Sequence, residues 1–215
     1  SERAQLVWVC DPNNPTGSLI DPAAWRAFLD ALPADCVVVA DEAYMDFADP
    51  ALRADRARDV AEGRPVVVIR SFSKAFGLAG LRLGVAIADP AVARLLDVVQ
   101  EPFNVNRAAL AAGRAAVRLP GFLDRRRAEV AAARDALRDA LGRHGLESHP
   151  SQANFVLVEL GVDDGPVCDA LLARGVLVRP GKSVGLPGTA RVTVAPAPLM
   201  ERVSEMIAEE VGRWN

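Results

Sequence analysis

The sequence predicts an α/β protein: a large domain on a mostly parallel sheet, followed by a smaller α+β domain. Three observations predict it. The runs "LVWVC", "CVVVA" and "PVVVIR" are apolar throughout instead of alternating, as strands covered on both faces of a parallel sheet are. Between the first two, "DPAAWRAFLDAL" offers Asp21 as a cap, Pro22 at the first helical position and the stripe Trp25, Phe28, Leu29, Leu32, which completes a strand–helix–strand unit. From about Pro120 the texture changes to a long Ala/Arg/Leu helix and then to shorter strands and helices.

The elements follow in order. After the third strand comes the loop "SFSKAFGLAGLRLG" and a fourth strand, "GVAIA". "DPAVARLLDVVQ" repeats the capping device with Asp89 and Pro90, and its stripe Val92, Leu95, Leu96, Val99 predicts a second helix covering the sheet. Glu101 to Leu119, headed by "EPFNVN", is the expected connection. The long helix ends near the glycines of "LGRHG", and "NFVLVEL", a helix, "GVLVRP", "ARVTVA" and a last helix complete the chain. The expected boundaries are 1–105 for the portion of the large domain, 106–120 for a connecting helix and 121–215 for the small domain.

Composition narrows the function. At 215 residues and 51% apolar the chain can bury a sizeable core, and a net charge of −3 gives no reason to expect nucleic acid or an anionic membrane. With no apolar run of the roughly 18 residues a membrane span needs, the expected location is the cytoplasm. Cys10, Cys36 and Cys168 are scattered in apolar settings and read as free buried thiols, and two histidines make no zinc cluster. The "RRR" at 125 to 127 sits among acids and reads as a solvated helix face. "GVLVRPGKS" looks like a phosphate loop but places five residues between Gly175 and Gly181 where that motif has four, and Gly77, Gly80 and Gly84 miss the dinucleotide spacing.

Ligands of open α/β sheets bind beyond the carboxyl ends of the strands, and each strand end here carries polar residues: "DPNNPTG", "DEAY" and "SFSK". If the strands are neighbours, Asn14, Asp41, Tyr44, Ser71, Ser73 and Lys74 share one rim. The chain holds 23 arginines and two lysines. Arginine stays protonated, whereas a lysine can become the amine that condenses with a carbonyl. Taken singly, Lys74 also reads as a surface residue and Asp41 as a turn or cap. Together they fit pyridoxal phosphate, which needs a Schiff-base lysine and an acid at the pyridine nitrogen. Tyr44 and Asn14 suit the ring hydroxyl, and Ser71, Ser73 and Arg82 suit the phosphate.

"DPNNPTG", "DEAY" and "SFSKAFGLAGLRLG" closely resemble the signatures of fold-type I aminotransferases, the class I and II group. Within it, "PFNVN", "PSQANFVLVEL", "RGVLVRPG" and "ARVTVA" are similar to the histidinol-phosphate branch. The resemblance runs from residue 5 to about 195 and implies the aspartate aminotransferase-like fold, pyridoxal 5'-phosphate as cofactor, and a homodimer. It implies Lys74 as the Schiff-base lysine and proton shuttle, Asp41 at the pyridine nitrogen, Asn14 and Tyr44 at the ring hydroxyl, and Ser71, Ser73 and Arg82 at the phosphate. Arg179 and Arg191 would reach the substrate's acidic end. Asn104, Asn106 and Asn154 fall where the family's hinge and pocket residues lie, with a turn-forming role the alternative for Asn154.

The implied reaction passes nitrogen from glutamate to an imidazole acetol phosphate and back, between histidinol phosphate and 2-oxoglutarate, in histidine biosynthesis. The resemblance also implies a further N-terminal part ahead of the first strand, with an arm, the first strands of the large domain, a glycine-rich phosphate turn and an aromatic ring that stacks on the pyridine. Alternatives are an aromatic amino acid aminotransferase, using Arg191 for a carboxylate, a threonine-phosphate decarboxylase, and a catalytically incomplete fragment or regulator half.

Overall fold

The computed structural model describes residues 4–214. They form two compact units: one runs to Pro12 and again over Leu19–Arg125, the other comprises Asn13–Ser18 and the chain from Arg126 onward. This division differs from the expected boundaries at 105 and 121, because the helix after residue 106 and the residues up to Arg125 go with the first unit, and the short segment after the first strand goes with the second.

The first unit holds β1 (Leu6–Cys10), α1 (Pro22–Ala31), β2 (Val37–Asp41), α2 (Arg56–Ala61), β3 (Val66–Ser71), β4 (Gly84–Ile87), α3 (Pro90–Val98) and α4 (Arg107–Ala116). The sheet order is β1-β2-β3-β4, with the first three parallel and β4 antiparallel to β3. Pairing is in step: Cys10 lies beside Asp41, and Asp41 beside Ile69. Helix α1 starts as the sequence predicts, with Asp21 accepting from the amides of Ala23 and Ala24 and Pro22 opening the helix. Its Trp25 and Leu29 bury against Val38, Ala40, Val66 and Val68, with Phe28 and Leu32 at the margin.

Two expectations hold only in part. Strands β2 and β3 are buried on both faces, Val38 to Ala40 and Val66 to Val68 being buried throughout, but β1 is covered on one face only, since Leu6 and Trp8 are 58% and 61% exposed. Helix α3 forms with its cap at Asp89, yet none of its residues is buried, and Leu95, Val98 and Val99 stay in solvent. The physical reason is that periodicity sets which face of a helix is apolar, but burial requires a facing element, and α1 packs on the sheet face opposite Leu6 and Trp8.

The second unit contains α5 (Phe122–Arg143) from Arg126 onward, β5 (Phe155–Glu159), α6 (Asp164–Ala173), β6 (Arg179–Pro180), β7 (Thr189–Thr193) and α7 (Ala197–Trp214). Its antiparallel sheet has the order β5-β7-β6. Leu137 and Leu141 of α5, Leu171 of α6 and Ile207 of α7 close over Val156, Val158, Ala190 and Val192. The apolar run "GVLVRP" shortens to a two-residue strand, Arg179–Pro180, which pairs with β7.

The loop after β6 is closed on itself. Leu186 N donates to Gly181 O at 2.9 Å and Thr189 Oγ1 to Leu186 O at 2.8 Å. A Cβ at Gly181 would lie 2.0 Å from Thr189 Oγ1 and 2.1 Å from Leu186 O, so only glycine fits. Asp164, at the start of α6, accepts from Lys182 N at 3.0 Å and Gly188 N at 2.8 Å and ties both ends of the loop. The amide of Lys182 is thereby committed to a carboxylate, consistent with rejecting "GKS" as a phosphate loop. Burial works against ionising Asp164, but the N–H groups of Gly188 and Lys182 outweigh it and hold the carboxyl below the usual carboxylate range.

Burial of Cys168, with Asp164 and Asp169 adding to it, pushes its thiol up to about 11, so it is inert at neutral pH. None of the three cysteines is in a disulfide; Cys36 and Cys168 are buried as expected, whereas Cys10 is half-buried.

Leu137→Ala, in the second core, is expected to lower stability by about 2–5 kcal/mol in urea titration, and Leu95→Ala, on the exposed stripe, to change it by less than about 0.5 kcal/mol. Asp164→Asn is expected to lower the melting temperature above about pH 4, the range in which the carboxylate is charged in the unfolded chain as well. Because the folded carboxyl is depressed, the difference closes as pH falls below that value; melts between about pH 2 and pH 8, a range that brackets both forms, check it.

Candidate active site

Parallel pairing delivers the C-terminal ends of β1, β2 and β3 to one edge of the first sheet. Asp41 ends β2, and its Oδ1 accepts from Ala43 N at 3.0 Å. The chain then turns through Tyr44, which is buried. Ser71 ends β3; its Oγ accepts from Ser73 N at 3.1 Å and shapes the turn that presents Lys74. Lys74 is exposed, and its Nζ lies 5.3 Å from the centre of the Tyr44 ring.

The loop carrying Lys74 is firmly packed. Phe72 stacks on Phe76 at 4.7 Å, Phe76 on Phe122 at 6.0 Å, and Ala75 and Leu83 are buried. A Cβ at Gly113 of α4 would lie 2.4 Å from Leu83 Cδ2, so that glycine lets the helix approach the loop. Arg82 takes a left-handed conformation, φ 55°, and its Nη1 donates to Ala79 O at 2.8 Å. Asp41, Tyr44, Ser71, Ser73, Lys74 and Arg82 are thus all carried by the first unit.

Asn14 is not held with them. Its segment, Asn13–Ser18, belongs to the second unit, where Arg191 Nη1 donates to Asn14 Oδ1 at 2.6 Å. Gln152 N donates to Gly17 O at 2.7 Å, and a Cβ at Gly17 would lie 2.1 Å from Ser151 Oγ. Arg191 and Arg179 are direct cross-strand partners on β7 and β6, so both side chains leave the same face of the second sheet. The Arg191 guanidinium lies 5.0 Å from the Phe155 ring centre, and its Nε is buried without a hydrogen-bond partner. A cavity of about 400 Å³ opens beside them, lined by Leu177, Arg179, Ser183, Arg191 and Thr193 among others.

Of the three asparagines of the connection and turn, Asn106 has its side chain committed to the backbone, while Asn104 and Asn154 show main-chain hydrogen bonds. Asn106 caps α4, accepting from Ala109 N at 2.8 Å, and Asn104 N donates to Glu101 O at 3.3 Å. Asn154 O accepts from Val194 N at 2.9 Å at the end of the β5/β7 pair. Its turn is braced by Ser151 Oγ, which donates to Phe155 O at 2.6 Å, and by Arg134 of α5, whose Nη1 reaches Ala153 O at 3.1 Å. Burial lowers the Arg134 pKa, a cost set against that contact. Arg134 and Asp164 escape sequence reasoning: one is a single arginine in an arginine-rich helix, the other one of two adjacent aspartates whose loop partners lie 18 and 24 positions away.

Among the described residues, no three His, Cys, Asp or Glu side chains gather where a metal could bind, and no helix is long and apolar enough to cross a membrane.

The profile of the family "Aminotransferase class I and II" matches residues 1–208. The chain is 38% identical over 211 residues to a histidinol-phosphate aminotransferase of Geobacillus thermodenitrificans, covering 96% of this chain and 57% of that one. It is 45% identical over 197 residues to an aromatic amino acid aminotransferase of Nocardia farcinica, covering 90% and 54%. The structure superposes with a TM-score of 0.89 and 30% identity on a histidinol-phosphate aminotransferase from Sinorhizobium meliloti solved in complex with pyridoxal-5'-phosphate, covering 98% of this chain and 58% of that one. The chain therefore spans a little over half the length of the curated relatives it matches. Its profile, its relatives and its fold agree, and the chain belongs to the class I and II aminotransferase family.

Proposed function

We propose that this chain carries the cofactor lysine and the substrate-binding arginines of a pyridoxal-phosphate aminotransferase acting on histidinol phosphate, with glutamate and 2-oxoglutarate as the second pair, in a cytoplasmic homodimer. The observation that carries the proposal is Lys74, on a packed loop at the end of β3, beside Tyr44 and one strand from Asp41.

The residues fit the cofactor by the chemistry of their donors. Asp41 offers a carboxylate for the pyridine nitrogen, Tyr44 a phenol for the ring hydroxyl, and Ser71, Ser73 and Arg82 two hydroxyls and a cation for the phosphate. Asn14 accepts from Arg191 through Oδ1, which leaves its Nδ2 to donate to the ring hydroxyl. When bound, pyridoxal phosphate supplies the electron sink that lets the C–H bond beside an amino group break. Lys74 Nζ takes and returns the proton at that carbon; arginine cannot, since it does not give up its own proton at neutral pH. Asp41 holds a proton on the pyridine nitrogen. Arg191 and Arg179 hold the substrate's acidic group from one face of the second sheet.

A second reading is favoured by the 45% identical relative, an aromatic amino acid aminotransferase. There the two arginines would grip a carboxylate and no phosphate would be required.

Borohydride treatment with pyridoxal phosphate is expected to label Lys74, and Lys74→Arg to abolish the label; labelling spread over Lys182 and the amino terminus would refute the assignment. Arg179→Ala is expected to weaken binding of histidinol phosphate by about 2 kcal/mol, the scale of one charge-assisted hydrogen bond, and to leave phenylalanine binding nearly unchanged. Equal losses for both ligands in calorimetry would favour the aromatic reading.

A further inference from the structure

On the face of the first sheet that packs against α1, three strands run from apolar to charged at the same level. Val9 is followed on that face by Asp11, Val38 and Ala40 by Glu42, and Val66 and Val68 by Arg70. The register places these charged residues side by side: Asp11 N donates to Asp41 O at 3.0 Å, and Glu42 N to Ile69 O at 2.8 Å.

Arg56 of α2 joins them. Its Nη2 lies 2.5 Å from Asp11 Oδ2 and its Nη1 3.1 Å from Glu42 Oε1, with all three side chains essentially inaccessible. Arg70 Nη2 completes Glu42 at 2.7 Å from Oε2, and Arg70 Nη1 reaches Asp46 at 3.6 Å. The Arg56 guanidinium lies 4.2 Å from the centre of the Trp25 ring, whose Nε1 donates to Asp59 at 2.8 Å. Asp11 Oδ1 accepts from Ile20 N at 2.8 Å and so fixes the return of the loop into α1.

Buried ion pairs of this kind are weak sources of stability, because well-packed apolar residues of similar volume do as well or better. Such a cluster supplies a defined register and direction instead. Two of its members neighbour a residue of the candidate site: Glu42 follows Asp41, and Arg70 precedes Ser71. Successive residues of a strand point to opposite faces, so a side chain locked on one face sets the direction of its neighbour on the other.

We propose that the cluster of buried Asp11, Glu42 and Arg56 with half-buried Arg70 is a positioning device that fixes the strand ends carrying Asp41 and Ser71 from the opposite face of the sheet. The proposal rests on the cofactor assignment above. The four residues are positioning residues and touch no cofactor.

The test compares the 215-residue chain with Glu42→Gln and Asp11→Asn, both of which keep side-chain shape; Asp11→Asn removes the less heavily paired carboxylate and serves if Glu42→Gln fails to fold. Hydrogen–deuterium exchange of the cofactor-free chain is followed by peptide, then pyridoxal phosphate affinity by absorbance titration, then borohydride labelling. The expected result is faster exchange confined to peptides over 41–47 and 70–77, unchanged exchange in β5 and β7, and cofactor binding about tenfold weaker, the lower end of what loss of an outer-shell partner does at metal sites, with the label still on Lys74. Unchanged exchange at the strand ends would overturn the proposal. So would unchanged affinity, or a uniform rise in exchange across the first unit, which marks a merely structural role. Absence of label in the unaltered chain counts against the cofactor assignment alone, and the exchange comparison still decides whether the cluster orders the strand ends.

Discussion

Parallel strands cannot be joined by a tight turn, so β1 and β2 each hand the chain to a connection that crosses back before the next strand begins. All three carboxyl ends consequently emerge along one edge, and residues far apart in sequence meet there: Asp41 beside Cys10, Ile69 beside Asp41, and Lys74 a few residues on. Every later feature of the first unit depends on that register. A slip of one residue would send Asp41 to the α1 side and Glu42 to the other, which is the error that the ion cluster around Arg56 opposes.

The second unit uses antiparallel pairing for the same purpose. Arg179 and Arg191 come from segments of unlike length and character, yet the Arg179–Arg191 register puts their side chains on one face. Only two residues of β6 pair, so the position of Arg179 relies on the loop next to it. That loop is held by Gly181, for which no other residue has room, and by Asp164, which ties it at Lys182 and Gly188. A carboxylate on a helix start thereby helps to place an arginine it does not touch.

Much of this is legible in the residues because the signals are local. Asp21 and Pro22 announce the start of α1, the stripe from Trp25 to Leu32 announces its buried face, and the polar clusters after three apolar runs mark the strand ends. The hidden features depend on distant partners. The contact of Asp11 with Arg56 spans 45 positions, and no pattern around Arg56 distinguishes it from the other arginines. The grouping of Asn14 with Arg191, 177 positions away, is equally invisible. Asn106 reads as a pocket residue because of its neighbours in the motif, while its side chain is occupied in capping α4.

Helix α3 keeps Leu95, Val98 and Val99 in water, and exposure of this kind has a thermal consequence. Apolar surface near room temperature is driven together almost entirely by entropy, with little enthalpy and a large negative heat-capacity change. Contacts that cover this stripe therefore tighten as the solution is warmed from the cold and loosen on chilling.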